Sequence, residues 1–167
     1  GFIDGTENPQ FPDDRAEVAL LGEDAGVFAD GSFIFAQRYC HDLEKWKKLK
    51  VDAQQQVIGR TKLESIELDE DVQPENSHVS RTVVEDDAGN EMEILRHSLP
   101  YGDGKGDQGL FFIAYTKDLS IIDAMLERMF GTSGDGIHDR LLHFVTALDG
   151  AYYFAPSEEL LEEVLED

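Results

Sequence analysis

Arg81-Thr82-Val83-Val84-Glu85-Asp86-Asp87-Ala88-Gly89-Asn90-Glu91-Met92-Glu93-Ile94-Leu95-Arg96-His97-Ser98 reads as two extended runs, 81–85 and 91–98, joined by a five-residue turn. β-Branched residues fill the first run, and Asp86 to Asn90 supply the Asp, Gly and Asn that a tight reversal needs. A hairpin pairs its strands antiparallel, and an antiparallel sheet can offer one face to helices. The segments on either side extend this reading. Gly31 to Cys40 is a clear strand, Gly109 to Tyr115 is a central strand apolar on both faces, and Ala151 to Ala155 is a last strand. Asp42 caps a helix over Leu43 to Leu49 with Trp46 on its buried face. Val51 to Gly59 is a second helix with Val57 and Ile58 inward, and Gly59 closes it. Leu119 to Phe130 places Ile122, Met125, Leu126 and Met129 at helical spacing. Asp139 to Phe144 is a short helix. Ser157 caps a final one whose Leu160, Leu161, Val164 and Leu165 point inward. Asp13 to Leu21 fits either a helical turn or a strand, 62–76 is a long acidic loop, and Leu99 to Asp107 is a glycine-rich loop. Strands alternating with helices around a hairpin predict an α+β layer fold. Its natural form is a ferredoxin-like antiparallel β-sheet with helices packed on one face.

The chain of 167 residues suits one domain, and 41% hydrophobic residues are enough for a core. Thirty-six Asp and Glu stand against 14 Lys and Arg, a formal net charge of −22. Such a surface repels phosphate backbones and anionic bilayers, so neither nucleic acid nor membrane is an expected partner. No apolar run is long enough to span a bilayer. No signal-peptide pattern is visible from Gly1 onward, so cytoplasm is the expected location, with an export signal upstream left open. Cys40 is the sole cysteine, which removes an intrachain disulfide and any cysteine-built zinc or iron–sulfur site.

His78 sits in Glu75-Asn76-Ser77-His78-Val79-Ser80-Arg81 with no second metal ligand at chelate spacing. One imidazole is enough as the axial ligand of a haem iron, because the porphyrin supplies four nitrogens. The same histidine also reads as an ordinary loop residue. Asp4, bracketed by glycines in Gly1-Phe2-Ile3-Asp4-Gly5, reads as a surface turn or as a carboxylate presented into a pocket. Leu99-Pro100-Tyr101-Gly102-Asp103-Gly104-Lys105-Gly106 lacks the spacing of a phosphate-binding loop.

Taken together, Gly1-Phe2-Ile3-Asp4-Gly5-Thr6-Glu7-Asn8-Pro9, Ser77-His78-Val79-Ser80-Arg81 and Ile94-Leu95-Arg96-His97-Ser98-Leu99-Pro100-Tyr101-Gly102 resemble the dye-decolorizing peroxidase family of haem enzymes, most closely its bacterial cytoplasmic branch. The resemblance extends to 57–62, 109–112, 139–142 and 150–157, nearly the whole chain. It implies the C-terminal half of a two-domain, dimeric α+β barrel-like fold, with the N-terminal domain missing from this stretch. It implies haem b (iron protoporphyrin IX) as cofactor, hydrogen peroxide as oxidant and a small-molecule electron donor such as a dye or phenol. It also implies a homo-oligomer, with an encapsulin shell as a further candidate partner.

By the same resemblance, His78 is the ligand of the haem iron and Asp139 accepts from its other ring nitrogen. Asp4 moves the peroxide proton, Arg96 stands beside it, and Ser98 follows on the same strand face. Leu110 and Phe112 line the pocket, or are plain core. Arg60 and Arg81 reach the propionates, or form ion pairs. His97 points to the opposite face and is the weaker candidate, and His41, His138 and His143 are read as structural. Bulky donors would pass electrons through surface aromatics, with Trp46, Tyr101, Tyr115, Tyr152 and Tyr153 as candidates by type. Two other functions stay open. One is porphyrinogen oxidation or iron release from haem at the same site. The other is a non-catalytic half that binds haem or only pairs with a partner.

Overall fold

The computed structural model describes residues 2, 8–102 and 107–166. Asp4 lies outside them. Helix α1 (Pro12–Ala19) starts with proline at its first position, where the missing N–H costs no hydrogen bond. A 3₁₀ turn over Glu23–Phe28 leads into strand β1 (Ser32–His41). Helices α2 (Leu43–Trp46) and α3 (Val51–Ile58) follow, the first capped by the Asp42 carboxylate, which accepts from the Lys45 N–H at 2.8 Å. Gly59 ends α3 in the left-handed region at φ +95°. Helix α4 (His78–Thr82), strands β2 (Leu95–Arg96), β3 (Leu99–Gly102) and β4 (Gln108–Thr116), and helix α5 (Leu119–Phe130) come next. A 3₁₀ turn over Arg140–His143, strand β5 (Val145–Ala155) and helix α6 (Glu158–Glu166) complete the chain.

The sheet runs β2-β4-β1-β5, all antiparallel, with β3 continuing on β4 in the register of β2. Helix α3 lies between β1 and β2 in sequence, and α5 lies between β4 and β5. This is the ferredoxin-like arrangement, with helix α5 packed on one sheet face. Opposed residues share a face, so Phe35, Phe112 and Ala114 turn together toward Ile121, Ile122, Met125 and Leu126 of α5. The other face carries Ile34, Ala36, Phe111, Ile113, Ala151 and Tyr153. They line an open groove of about 300 Å³ in which Phe111 is 40% and Tyr153 58% exposed.

Four expectations change. The hairpin shrinks to its turn: 78–82 is helical, and only the bridge Glu85↔Glu91 with the Met92 N–H to Val84 C=O bond (2.8 Å) remains beside the Asp86 to Asn90 reversal. The second arm pairs instead with β4, Leu95 opposite Tyr115 and Arg96 opposite Ala114. Leu99 to Gly102, read as loop, is strand. β4 is buried on one face only. The α6 stripe is not inward, because Leu161, Val164 and Leu165 are exposed, Leu165 at 76%. The amphipathic period was right, but no described element covers that stripe. Asp13 to Leu21, left open between helix and strand, is mostly the helix α1.

Candidate functional site

Ser77 is fully buried, and its hydroxyl accepts from the Ser80 N–H at 3.2 Å, which starts α4 at His78. Thr82 Oγ1 donates back to the His78 carbonyl at 2.9 Å. Gly59 makes room for this turn: a Cβ there would lie 2.9 Å from both Ser77 Oγ and Val79 Cβ. The His78 ring is thereby fixed in place, with its side chain 28% accessible.

The 3₁₀ turn delivers Asp139 to the same point. Its N–H donates to Met129 C=O at 2.8 Å, and the Arg140 N–H donates to Asn76 C=O at 2.9 Å, which ties the turn to the end of α5 and the approach to α4. The Asp139 carboxylate has no solvent exposure. Oδ1 accepts from the Leu141 N–H at 2.7 Å, and Oδ2 lies 2.6 Å from His78 Nδ1. A carboxylate beside Nδ1 holds a proton on that nitrogen and leaves Nε2 with its lone pair. Asp139 therefore caps the turn and buttresses the imidazole at once.

The sheet carries the other candidates. Arg96 pairs with Ala114, so it shares the helix-side face with Phe112 and Leu110. Continuing the register of β2 and β3 sets Ser98 opposite Phe112 on that face. His97 is exposed, and its N–H bonds Ile113 C=O. Gln37 and Tyr39 of β1 complete the row, opposite Phe112 and Leu110. Sequence reading passed over both, although the alternation along β1 places them on one face with Phe35. The Tyr39 hydroxyl donates to Gln37 Oε1, and burial together with the Asp139 charge pushes its pKa up to about 12. A raised phenol pKa favours folding while the ring stays protonated. This contribution is complete below pH ~10, the ordinary value, and is lost as pH rises toward about 12. Absorbance titration at 295 nm should find Tyr39 un-ionised well above pH ~10, with Asp139→Asn lowering its midpoint.

Arg60 and Arg81 both have protein partners. Arg60 donates to Ser65 C=O at 2.7 Å and pairs with Glu67 at 3.0 Å. Arg81 is buried, donates to Arg128 C=O at 3.0 Å, and pairs with Asp135 at 2.8 Å. These contacts tie Arg60 to the acidic loop and Arg81 to the end of α5. His138 and His143 approach each other at 2.9 Å on the surface. Among the described residues no group of three His, Cys, Asp or Glu could hold a bare metal ion.

The sequence model of the family "Dyp-type peroxidase, C-terminal" matches residues 1–160. The chain is 42% identical over 163 residues to a dye-decolorizing peroxidase of Mycobacterium tuberculosis (strain ATCC 25618 / H37Rv), covering 97% of this chain and 48% of that protein. It is 41% identical over 165 residues to one of Rhodococcus erythropolis (strain PR4 / NBRC 100887), covering 98% and 48%. The crystal structure of a Dyp-type peroxidase protein from Shewanella oneidensis superposes with a TM-score of 0.93 at 43% identity, over 98% of this chain and 52% of that one. A variant of Rhodococcus jostii RHA1 DypB in complex with heme superposes with a TM-score of 0.92 at 46% identity, over 97% and 52%. The chain spans about half the length of the relatives it matches. With the match running over nearly every residue and the fold coinciding, this chain belongs to the Dyp-type peroxidase family, in the part that the C-terminal model describes.

Proposed function

We propose that this chain is the haem-binding half of a peroxide-dependent oxidoreductase. The observation that carries the reading is the 2.6 Å contact between His78 Nδ1 and the fully buried Asp139. The donor set fits haem: one imidazole with a fixed tautomer and no companion ligands suits a metal whose other four ligands come from a macrocycle. His78 would ligate the iron through Nε2, and Asp139 would keep the Nδ1 proton in place and raise electron donation.

Haem b, when bound, supplies the redox iron that takes oxidising equivalents from hydrogen peroxide and passes them singly to a donor. The Asp4 carboxylate would carry a proton from one peroxide oxygen to the other. The permanent charge of Arg96 would stabilise the departing hydroxide. Ser98 would hold water beside it, and Leu110 and Phe112 would keep bulk water off the reacting oxygens. For donors too large to enter, Tyr152 is the best placed of the aromatic candidates. It is 45% exposed, its ring is 5.2 Å from Phe35, and Phe35 is 6.2 Å from Phe112. Its hydroxyl donates to Asp123 at 2.5 Å, so a proton acceptor is in place when the phenol gives up an electron.

The open sheet face supports the two-domain reading. Ile34, Phe111, Ile113 and Tyr153 form an apolar surface of the kind that a second sheet covers, and the chain's half-length coverage of its relatives points the same way. The N-terminal half is the proposed occupant. A homo-oligomer, an encapsulin shell and a cytoplasmic setting belong to the same proposal and rest on the family alone. No described helix is long and apolar enough to cross a membrane.

The test is an absorption titration with haem, wild type beside His78→Ala. A Soret band shifted from free haem in wild type, and lost or moved in His78→Ala, places the iron on His78. Free-haem spectra in both would show that this chain does not hold haem by itself.

A further inference from the structure

The two edges of β2 are satisfied differently. On one side its neighbour is β4, and the His97 N–H bonds Ile113 C=O at 2.9 Å. In an antiparallel ladder the next residue back turns its N–H and C=O the other way. Those groups of Arg96 therefore point off the sheet edge, where a strand ordinarily leaves them to solvent or to a stray partner. Here they meet one side chain. The Arg96 N–H donates to Asn8 Oδ1 at 2.9 Å, and Asn8 Nδ2 donates to Arg96 C=O at 2.7 Å. A primary carboxamide offers the donor and acceptor of a peptide group, so Asn8 acts as a one-residue strand added to β2 across 88 positions of sequence.

Asn8 is itself held. Pro9, which follows it, is buried, and its C=O accepts from Arg15 Nε at 2.7 Å, which fixes the entry into α1. From α1, Val18 C=O accepts from the Lys117 N–H at 3.1 Å, back at the end of β4. The Arg96 backbone is thus braced by β4 on one side and by an anchored carboxamide on the other. Asn8 also lies four residues after Asp4 in the chain.

We propose that Asn8 is a positioning residue for the distal half of the site: its carboxamide fixes where the Arg96 main chain, and with it the Arg96 side chain, sits. The proposal rests on the peroxidase reading, because it gives Arg96 a reaction to serve. The reciprocal pair explains why an amide is used. Aspartate at position 8 could accept from the Arg96 N–H, but it would set a carboxylate oxygen against the Arg96 carbonyl. Serine could not span both groups.

The test uses Asn8→Ala and the near-isosteric Asn8→Asp, with two readouts. In the protein without haem, hydrogen–deuterium exchange at the Arg96 amide is expected to quicken about tenfold in Asn8→Ala. In the haem-loaded protein, both variants should keep the wild-type Soret band, since His78 is untouched. Their rate of reaction with peroxide should fall about 10- to 100-fold with a displaced pH profile, while KM for the donor is unchanged. Exchange at Arg96 unchanged in Asn8→Ala, or Asn8→Asp matching wild type in rate and pH profile, would overturn the proposal. If Asn8→Ala does not fold, Asn8→Asp alone decides, because a space-filling role predicts wild-type behaviour for it. Failure of the peroxidase reading is separate: it would appear as a haem-loaded wild-type protein inert to peroxide, with exchange at Arg96 still quickened by Asn8→Ala.

Discussion

Asp139→Asn is expected to leave the protein folded and to weaken haem-iron ligation by about 10- to 100-fold, the usual cost of losing the partner that orients a metal-binding histidine. Asp139 accepts two hydrogen bonds through two oxygens, from the Leu141 N–H and from the His78 side. Asparagine keeps one acceptor. If its oxygen stays on Leu141, its NH₂ faces His78 Nδ1 and donates to it. That bond favours the tautomer with the proton on Nε2, where the iron has to bind. The variant would thus place the proton on the wrong nitrogen with little change of shape. Asp139→Ala removes both bonds from a site with no solvent exposure and takes away the cap of the turn. It should cost about 3 kcal/mol of stability in addition to the ligation defect. Haem titration followed by the Soret band, with thermal unfolding of the haem-free variants, separates the two effects. Wild-type ligation in Asp139→Asn would mean that the 2.6 Å contact does not govern the ring.

The contrast between β4 and α4 says what sequence could carry. β4 and α5 were legible as elements because each is long, the first an apolar run of strand length and the second a helical period with both ends marked: nine strand residues whose covered face the run did not reveal, then a helix whose Asp118 cap accepts from the Ser120 N–H and whose end is Gly131 at φ +73°. The run at 81–85 misled because its Thr and Val favour strand, whereas the five-residue helix that takes its first two residues is decided by contacts outside itself. Ser77 caps it, Gly59 leaves space for it, and it is held on α5 because Arg81 donates to Arg128 C=O and Arg128 donates to Ser80 C=O. Ser77 three residues before Ser80 was a signal in plain view. The buried neighbours that made it win were not.

The site divides in the same way. That Arg96 and Ser98 share a face follows from strand alternation and was legible. His78 and Asp139, 61 residues apart, were joined only through family resemblance, because their meeting depends on two backbone bonds, Asp139 to Met129 and Arg140 to Asn76. Tyr39 and Gln37 were missed because strand β1 was read for its apolar residues. Nearness to His78 in sequence suggested Arg81 for a propionate, and the resemblance suggested Arg60; the protein partners that both have, Asp135 and Glu67, could not be read from sequence.

Gly109→Ala should be the most damaging single methyl among the described glycines. A Cβ built at Gly109 falls 1.8 Å from the Tyr39 carbonyl oxygen and 2.7 Å from the Tyr101 hydroxyl. These two atoms are bonded to each other at 2.9 Å, so neither can move without breaking that bond. The nearest obstacle is backbone, at the end of the β1–β4 ladder where Gly109 opposes Cys40. Overpacking at such a point costs at least about 3 kcal/mol. Gly102→Ala is the control: its Cβ would meet Gln108 Cγ at 3.3 Å, the flexible part of a side chain, and the change should stay within about 0.5 kcal/mol. The consequence reaches the site, because Tyr39 stands on the sheet wall under the Asp139 charge. Chemical denaturation of the two haem-free variants measures the difference. If Gly109→Ala folds with undiminished stability, its Tyr39 titration should be unchanged too. If the strands part as the geometry requires, the stability loss and a lower Tyr39 midpoint should appear together.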